Sequence, residues 1–155
     1  MINTPVTVPL FTVLLLFFTQ STATTIHSEA TYSQEDPIPE MTSLRWQNRL
    51  ILVKPVQPEH HKQIQRFHRE FIAEIEARKV LLFQQIHKNV FKPIATPLAE
   101  PLFYKAHYKV PPGEALLIGL DGEVKARSSL TIPELAELLW KIDTMPIRKR
   151  ELEQR

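Results

Sequence analysis

The apolar positions along the chain change spacing several times, and each change marks an element. Arg49-Leu50-Ile51-Leu52-Val53-Lys54 is a continuous aliphatic run closed by Pro55 and Pro58, the pattern of a buried strand bounded by loops. Beyond it the spacing turns helical. Ile64, Phe67, Phe71, Ile72 and Ile75 share one stripe, while Arg66, Arg69, Glu70, Glu74 and Arg78 lie off it. Pro58 suits a first turn, so the pattern predicts a helix over Pro58 to Ala77, supported by the i,i+4 pairs Arg66/Glu70 and Glu74/Arg78. Val80-Leu81-Leu82-Phe83 then reads as a second short buried strand. Two strands separated by a helix of this length form a parallel crossover unit, because the chain must return over the sheet before the second strand starts.

Five prolines (Pro93, Pro97, Pro101, Pro111 and Pro112) interrupt the next stretch and leave room for one helix of about Leu98 to His107. The aromatic and basic mixture there, Phe103, Tyr104, Lys105, His107, Tyr108 and Lys109, is expected to be half-buried packing, with a binding face as the alternative. Ala115 to Leu120, Asp121-Gly122 and Glu123 to Arg127 predict a hairpin on a type I′ turn, whose two central residues need positive φ. Thr131 and Glu134 form a Thr-x-x-Glu capping box ahead of a helix with Leu135, Leu138, Leu139 and Ile142 on its buried side and Trp140 near it. Met145-Pro146 should end that helix, and Arg148, Lys149 and Arg150 follow as a basic tail. The order β, α, β, helix or loop, hairpin, α predicts an α/β domain of thioredoxin-like arrangement, with a mixed sheet of about four strands. There is no internal repeat.

The N-terminus has a different character. Leu10 to Phe18 is an apolar stretch of nine, followed by Thr19 to Ala23 with small residues suited to a cleavage site. A membrane span needs about 20 apolar residues, so this reads as a signal peptide (residues 1–23) cut after about Ala23, with no stable anchor left behind. Thr24 to Met41 is an acidic, Ser/Thr-rich leader expected to be mobile. The domain proper is then 42–153, and the expected location is the periplasm or outside the cell. All 19 basic residues lie from Arg45 onward with 13 of the 17 acidic ones, so this part carries +6. Such a balance suits an acidic polymer or an envelope or extracellular protein as partner, and nucleic acid is not expected. The chain has no cysteine, which excludes thiol redox chemistry, cysteine nucleophiles, Cys-type zinc sites and disulfides together.

Three stretches carry a resemblance: Leu44-Arg45-Trp46 leading into Arg49 to Val53, then Leu117-Ile118-Gly119-Leu120-Asp121-Gly122-Glu123-Val124-Lys125, then Ile142-Asp143-Thr144-Met145-Pro146-Ile147-Arg148. They resemble the domain-of-unknown-function family 4174, found in small exported bacterial proteins and in vertebrate extracellular sushi-repeat and coiled-coil-domain proteins. The similarity covers about Met41 to Glu153. It implies a peroxiredoxin- or thioredoxin-like fold and, from the vertebrate relatives, a matrix or adhesion setting; it brings no established reaction. Active enzymes of that fold place a thiolate at the start of the first long helix, where free N–H groups and the helix dipole lower its pKa. Here Val56-Gln57-Pro58-Glu59-His60-His61 occupies that position, and Pro111-Pro112-Gly113-Glu114 leads into the third strand.

Other chemistry is sparse. His60, His61 and His68 are the one histidine cluster and the candidate metal ligands, since imidazoles on one helix suit zinc or copper. Lys125, Arg127, Arg148, Lys149 and Arg150 are the candidate anion-binding residues. Asp143 is expected to pair with Arg148 or Arg150 and fix the C-terminal tail. Ser128-Ser129 has no partnering motif, and neither Gly-x-Ser-x-Gly nor His-Glu-x-x-His occurs. The sequence therefore predicts a non-enzymatic exported binding or structural module with no catalytic residues and no cofactor, the alternative being a metal-binding protein built on the histidine cluster.

Overall fold

The first strand, β1 (Arg49–Val53), is buried at every position, which is why its sequence shows no alternation. The structure, a computed structural model, describes residues 38–94 and 103–154; the expected signal peptide and most of the expected leader lie outside them. A compact unit spans residues 35–155. Its described part starts earlier than the expected boundary at 42. Glu40 bridges to Lys105, and Met41 opens a short 3-10 turn, Met41–Leu44, with its own side chain in the core.

β1 runs parallel to β2 (Val80–His87), in register from Arg49 opposite Val80 to Val53 opposite Gln84. The crossover between them is two helices, α1 (Pro58–Glu70) and α2 (Ile72–Ala77), where the stripe predicted one. Phe71 leaves helical backbone at φ −115° and ψ 22°, yet the Phe71 N–H still bonds the Phe67 carbonyl and Ile75 N–H the Phe71 carbonyl, both at 2.9 Å. The interruption is a kink within a continuous ladder, and there the Phe67 and Phe71 rings stack with centroids 5.4 Å apart. Lys79 then turns the chain into β2 in the left-handed region, at φ 51°.

Among the described residues the sheet has six strands rather than about four, in the order β4-β3-β2-β1-β5-β6, where β3 is Val90–Pro93, β4 is Tyr104–Lys105, β5 is Glu114–Ile118 and β6 is Val124–Ser129. All neighbours except β1 and β2 are antiparallel. The expected helix from Leu98 to His107 is corrected over its described part. Tyr104 and Lys105 are extended opposite Phe91 and Val90, and Tyr104 meets Phe83 edge-on at 5.3 Å. From Tyr104 to Val110 burial alternates: Tyr104, Ala106 and Val110 are buried and Tyr108 half-buried, whereas Lys105, His107 and Lys109 are exposed. That is a period of two, which no helix produces.

The hairpin forms, but on a different turn. Only Gly122 has positive φ, 81°, and its N–H bonds the Gly119 carbonyl at 3.0 Å. Asp121 stays out of the left-handed region, its carboxylate accepting from the Glu123 N–H and from Lys125. The turn is thus two residues of negative φ, Leu120 and Asp121, followed by a left-handed glycine. The capping box ahead of α3 (Ile132–Asp143) is also replaced. Thr131 is the N-cap without a side-chain bond, and Glu134 accepts from the Ser129 N–H at 2.8 Å instead of reaching back to Thr131. The residues read as a basic tail form a further helix, α4 (Pro146–Glu153), because a proline that ends one helix is also suited to begin the next.

The strands divide their side chains between two cores. Ile51, Val53, Leu82, Ala115 and Leu117 lie under Ile64, Phe67 and Ile75 of the crossover and under Leu135, Leu138, Leu139 and Ile142 of α3. On the other face Leu50, Leu52, Phe83, Leu116 and Ile118 are covered by Met41, Phe91, Tyr104, Ala106 and Val110. Helices cover one face and mostly irregular chain the other. Phe67→Ala is expected to destabilise the domain by about 3–5 kcal/mol through the cavity it leaves, and Ile86→Ala, at an exposed position, by no more than about 0.5 kcal/mol. Urea denaturation of the two variants checks this ordering.

Candidate functional site

Two ends of the sheet gather the polar chemistry. At the end where β1 leads into α1, the Lys54 N–H bonds the Glu114 carbonyl at 3.1 Å and the Gly113 N–H bonds the Lys54 carbonyl at 2.8 Å. These bonds seat the Pro111-Pro112-Gly113 loop against the start of α1. Gly113 is left-handed, at φ 79°, and a Cβ there would lie 3.3 Å from His60 Cε1. The imidazole itself accepts the Val56 N–H on Nδ1 at 3.3 Å, so it serves as a local cap for the chain entering the helix. His61 is exposed, and the half-buried His68 lines a separate cavity of about 320 Å³ with Ile72, Ile75 and Glu76. Among the described residues no three His, Asp or Glu side chains come together as a metal site. His60, His61 and His68 are not brought into one ligand set.

The opposite end of β1 holds a charge network. Arg49 is 1% exposed; its Nη1 donates to the Arg78 carbonyl at 2.9 Å and its Nη2 to Glu151 Oε1 at 3.0 Å. Arg148, 4% exposed, donates to Glu151 Oε2 at 3.1 Å, and its Nε lies 3.5 Å from Asp143 Oδ1. The expected Asp143–Arg148 pair is therefore present, but the closer partner of Asp143 is Arg78, at 2.6 Å. Nothing in the spacing of the sequence pointed to Arg78, which comes from the far end of α2. Burial pushes the Glu151 carboxyl up, and the hydrogen bonds from Arg49 and Arg148 outweigh it, so its pKa is lowered.

The predicted anion-binding residues divide in two. Arg148 is committed to this network, and Lys125 is held by Asp121 at 2.5 Å and by Glu123 at 2.9 Å. Burial of Asp121 is likewise outweighed by the hydrogen bonds it accepts from Lys125 and the Glu123 N–H, and its pKa is lowered. Arg127, Lys149 and Arg150 remain exposed. The three stretches that carry the sequence resemblance meet here. The Trp46 N–H bonds the Leu120 carbonyl at 2.8 Å, and Gly122 leaves the space that the Arg45 guanidinium occupies. Arg49, Gly119, Lys125, Met145 and Ile147 line a shallow cavity of about 320 Å³. Its cations are matched by carboxylates, so it is a joint before it is a site.

A third region joins the second face of the sheet to the crossing segment 106–110. Tyr108 donates to the Gly122 carbonyl at 2.6 Å, and burial pushes its phenol up while Arg45 pulls it down. Beside it a cavity of about 390 Å³ is lined by Lys54, Gln85, Lys88, Asn89 and Lys109 among others. The sequence reading pointed to part of this region through its aromatic and basic mixture. It missed Lys54, Gln85 and Lys88, which are brought there only by strand pairing.

The fold and these sites define an α/β domain with a mixed six-stranded sheet, helices on one face and a polar crossing segment on the other. The chain belongs to the family described as Domain of unknown function (DUF4174), whose model matches residues 40–151. No curated protein and no solved structure matches it.

Removing Glu151 strands the buried Arg49, and Glu151→Ala is expected to cost about 3 kcal/mol at neutral pH. Because the fold lowers the Glu151 pKa, its contribution is complete above the ordinary carboxylate range and is lost as the pH falls through the lowered value. Denaturation curves of wild type and variant should therefore converge on acidification. A stability gap of the same size at acid and neutral pH would refute this role.

Proposed function

We propose that the protein is an exported, non-enzymatic binding module of thioredoxin-like type, acting in the periplasm or outside the cell. The observation that carries this reading is the packing of the α1 start against the loop ahead of β5. That is the position where an enzyme of this arrangement needs its thiolate, and His60 stands there in a chain without cysteine. The central strands support the fold type: β1, α1–α2 and β2 make a parallel βαβ unit, followed by the antiparallel β5–β6 hairpin and α3. α1 and α3 lie on the same face. Among the described residues no helix is long and apolar enough to cross a membrane. The apolar run Leu10 to Phe18 with Ala23 beyond it supports export.

The purified protein is expected to reduce insulin disulfides, in the presence of dithiothreitol, no faster than dithiothreitol alone, and to consume no hydrogen peroxide. A rate above that background that follows the protein through purification would overturn the reading.

A further inference from the structure

We infer that the cavity of Lys54, Lys88 and Lys109 binds a compact tetrahedral dianion, the chemistry of a phosphate group. The inference rests on the reading of the chain as a binding module and names its ligand class. Position is the first argument. Lys54 directly follows β1, Gln85 lies near the end of β2, and Lys88 and Asn89 make the turn into β3, so the cavity opens at the carboxyl ends of the two parallel strands. Ligands of open α/β sheets gather outside those ends.

Charge is the second argument. Arg49, Arg78, Arg148 and Lys125 all face carboxylates, whereas Lys54, Lys88 and Lys109 form no ion pair with any described residue. No carboxylate lines the cavity. Three ammonium groups around one concavity repel each other, and a compact dianion turns that repulsion into attraction. The volume of about 390 Å³ is within the range of small-molecule sites.

Isothermal titration of the full chain with glucose 6-phosphate tests this, with glucose, inorganic phosphate and sulfate as parallel probes. Glucose 6-phosphate, inorganic phosphate and sulfate should each saturate one site, and glucose should show no saturation in the same range. Lys88→Gln and Lys109→Gln, both at exposed positions, should each weaken glucose 6-phosphate about tenfold, as loss of one charge-assisted hydrogen bond does. Lys149→Gln should leave it unchanged. Absence of saturation by glucose 6-phosphate, or equal weakening by Lys149→Gln, overturns the inference, as does binding confined to a sulfated polymer. Reductase activity is a separate readout, so failure of the non-enzymatic reading is distinguishable from failure of this one.

Discussion

A guanidinium enclosed at the first residue of the central strand constrains much of this structure. Arg49 is shut away from solvent, and a charge in that position needs fixed hydrogen-bond partners, which here reach both Nη atoms and leave Nε without one. The partners come from distant parts of the chain: the carbonyl of Arg78 at the end of the crossover and the carboxylate of Glu151 on the last helix. The dependence runs outward from there. α4 buries only Arg148 and has no apolar stripe, so its place against the domain is set by charge pairing and not by hydrophobic area. Asp143, shared between Arg78 and Arg148, joins the end of α3 to the same cluster.

The two faces of the sheet do different work. The face under α1, α2 and α3 is closed by periodic apolar stripes and is the more regular core. The other is closed by the 3-10 turn and by the segment from Tyr104 to Val110, whose inward residues seal the strands while its outward residues are Lys105, His107 and Lys109. A covering made of irregular chain leaves concavities that a helix layer would fill, and polar side chains collect in them. Family membership adds a further contrast. The stretches that carry the resemblance meet at the Arg49 end, where cations and carboxylates are matched, while the unmatched lysines lie at the other end.

The sequence was most legible where a single period governs an element. The β1 run, Ile64, Phe67 and Ile75 of the crossover stripe, the Val80 to Phe83 strand and the leucines of α3 lie where their patterns put them, because burial leaves a direct imprint on residue type, whereas Ile72, just past the kink at Phe71, is exposed. β3 and β4 left none: Val90–Pro93 and Tyr104–Lys105 are too short for a pattern, and proline at the end of β3 reads as a breaker. The segment after Phe103 does alternate, but its prolines and aromatics suggested a helix ended by Pro111. Local chemistry misled in two further places. Asp121-Gly122 implied a type I′ turn until Lys125 and the Glu123 N–H claimed the carboxylate, and Thr131 implied a capping box whose Glu134 bonds the Ser129 N–H instead. At the sites, the Asp143–Arg148 pair was readable because its members are five positions apart. Arg78, Lys54 and Lys88 owe their roles to tertiary pairing, to which a linear pattern is blind.

Both tryptophans sit outside the cores, Trp46 at 68% and Trp140 at 57% exposure. Native fluorescence is therefore that of hydrated indole, and disruption of the two cores changes little around either ring. Trp46 is the more informative emitter. Its backbone is held at φ 63° with its N–H on Leu120, beside the glycine turn and the Arg45 side chain. Changes in its anisotropy would thus register how firmly the β5–β6 turn is gripped, an optical signal of one joint in a domain whose interior carries no indole.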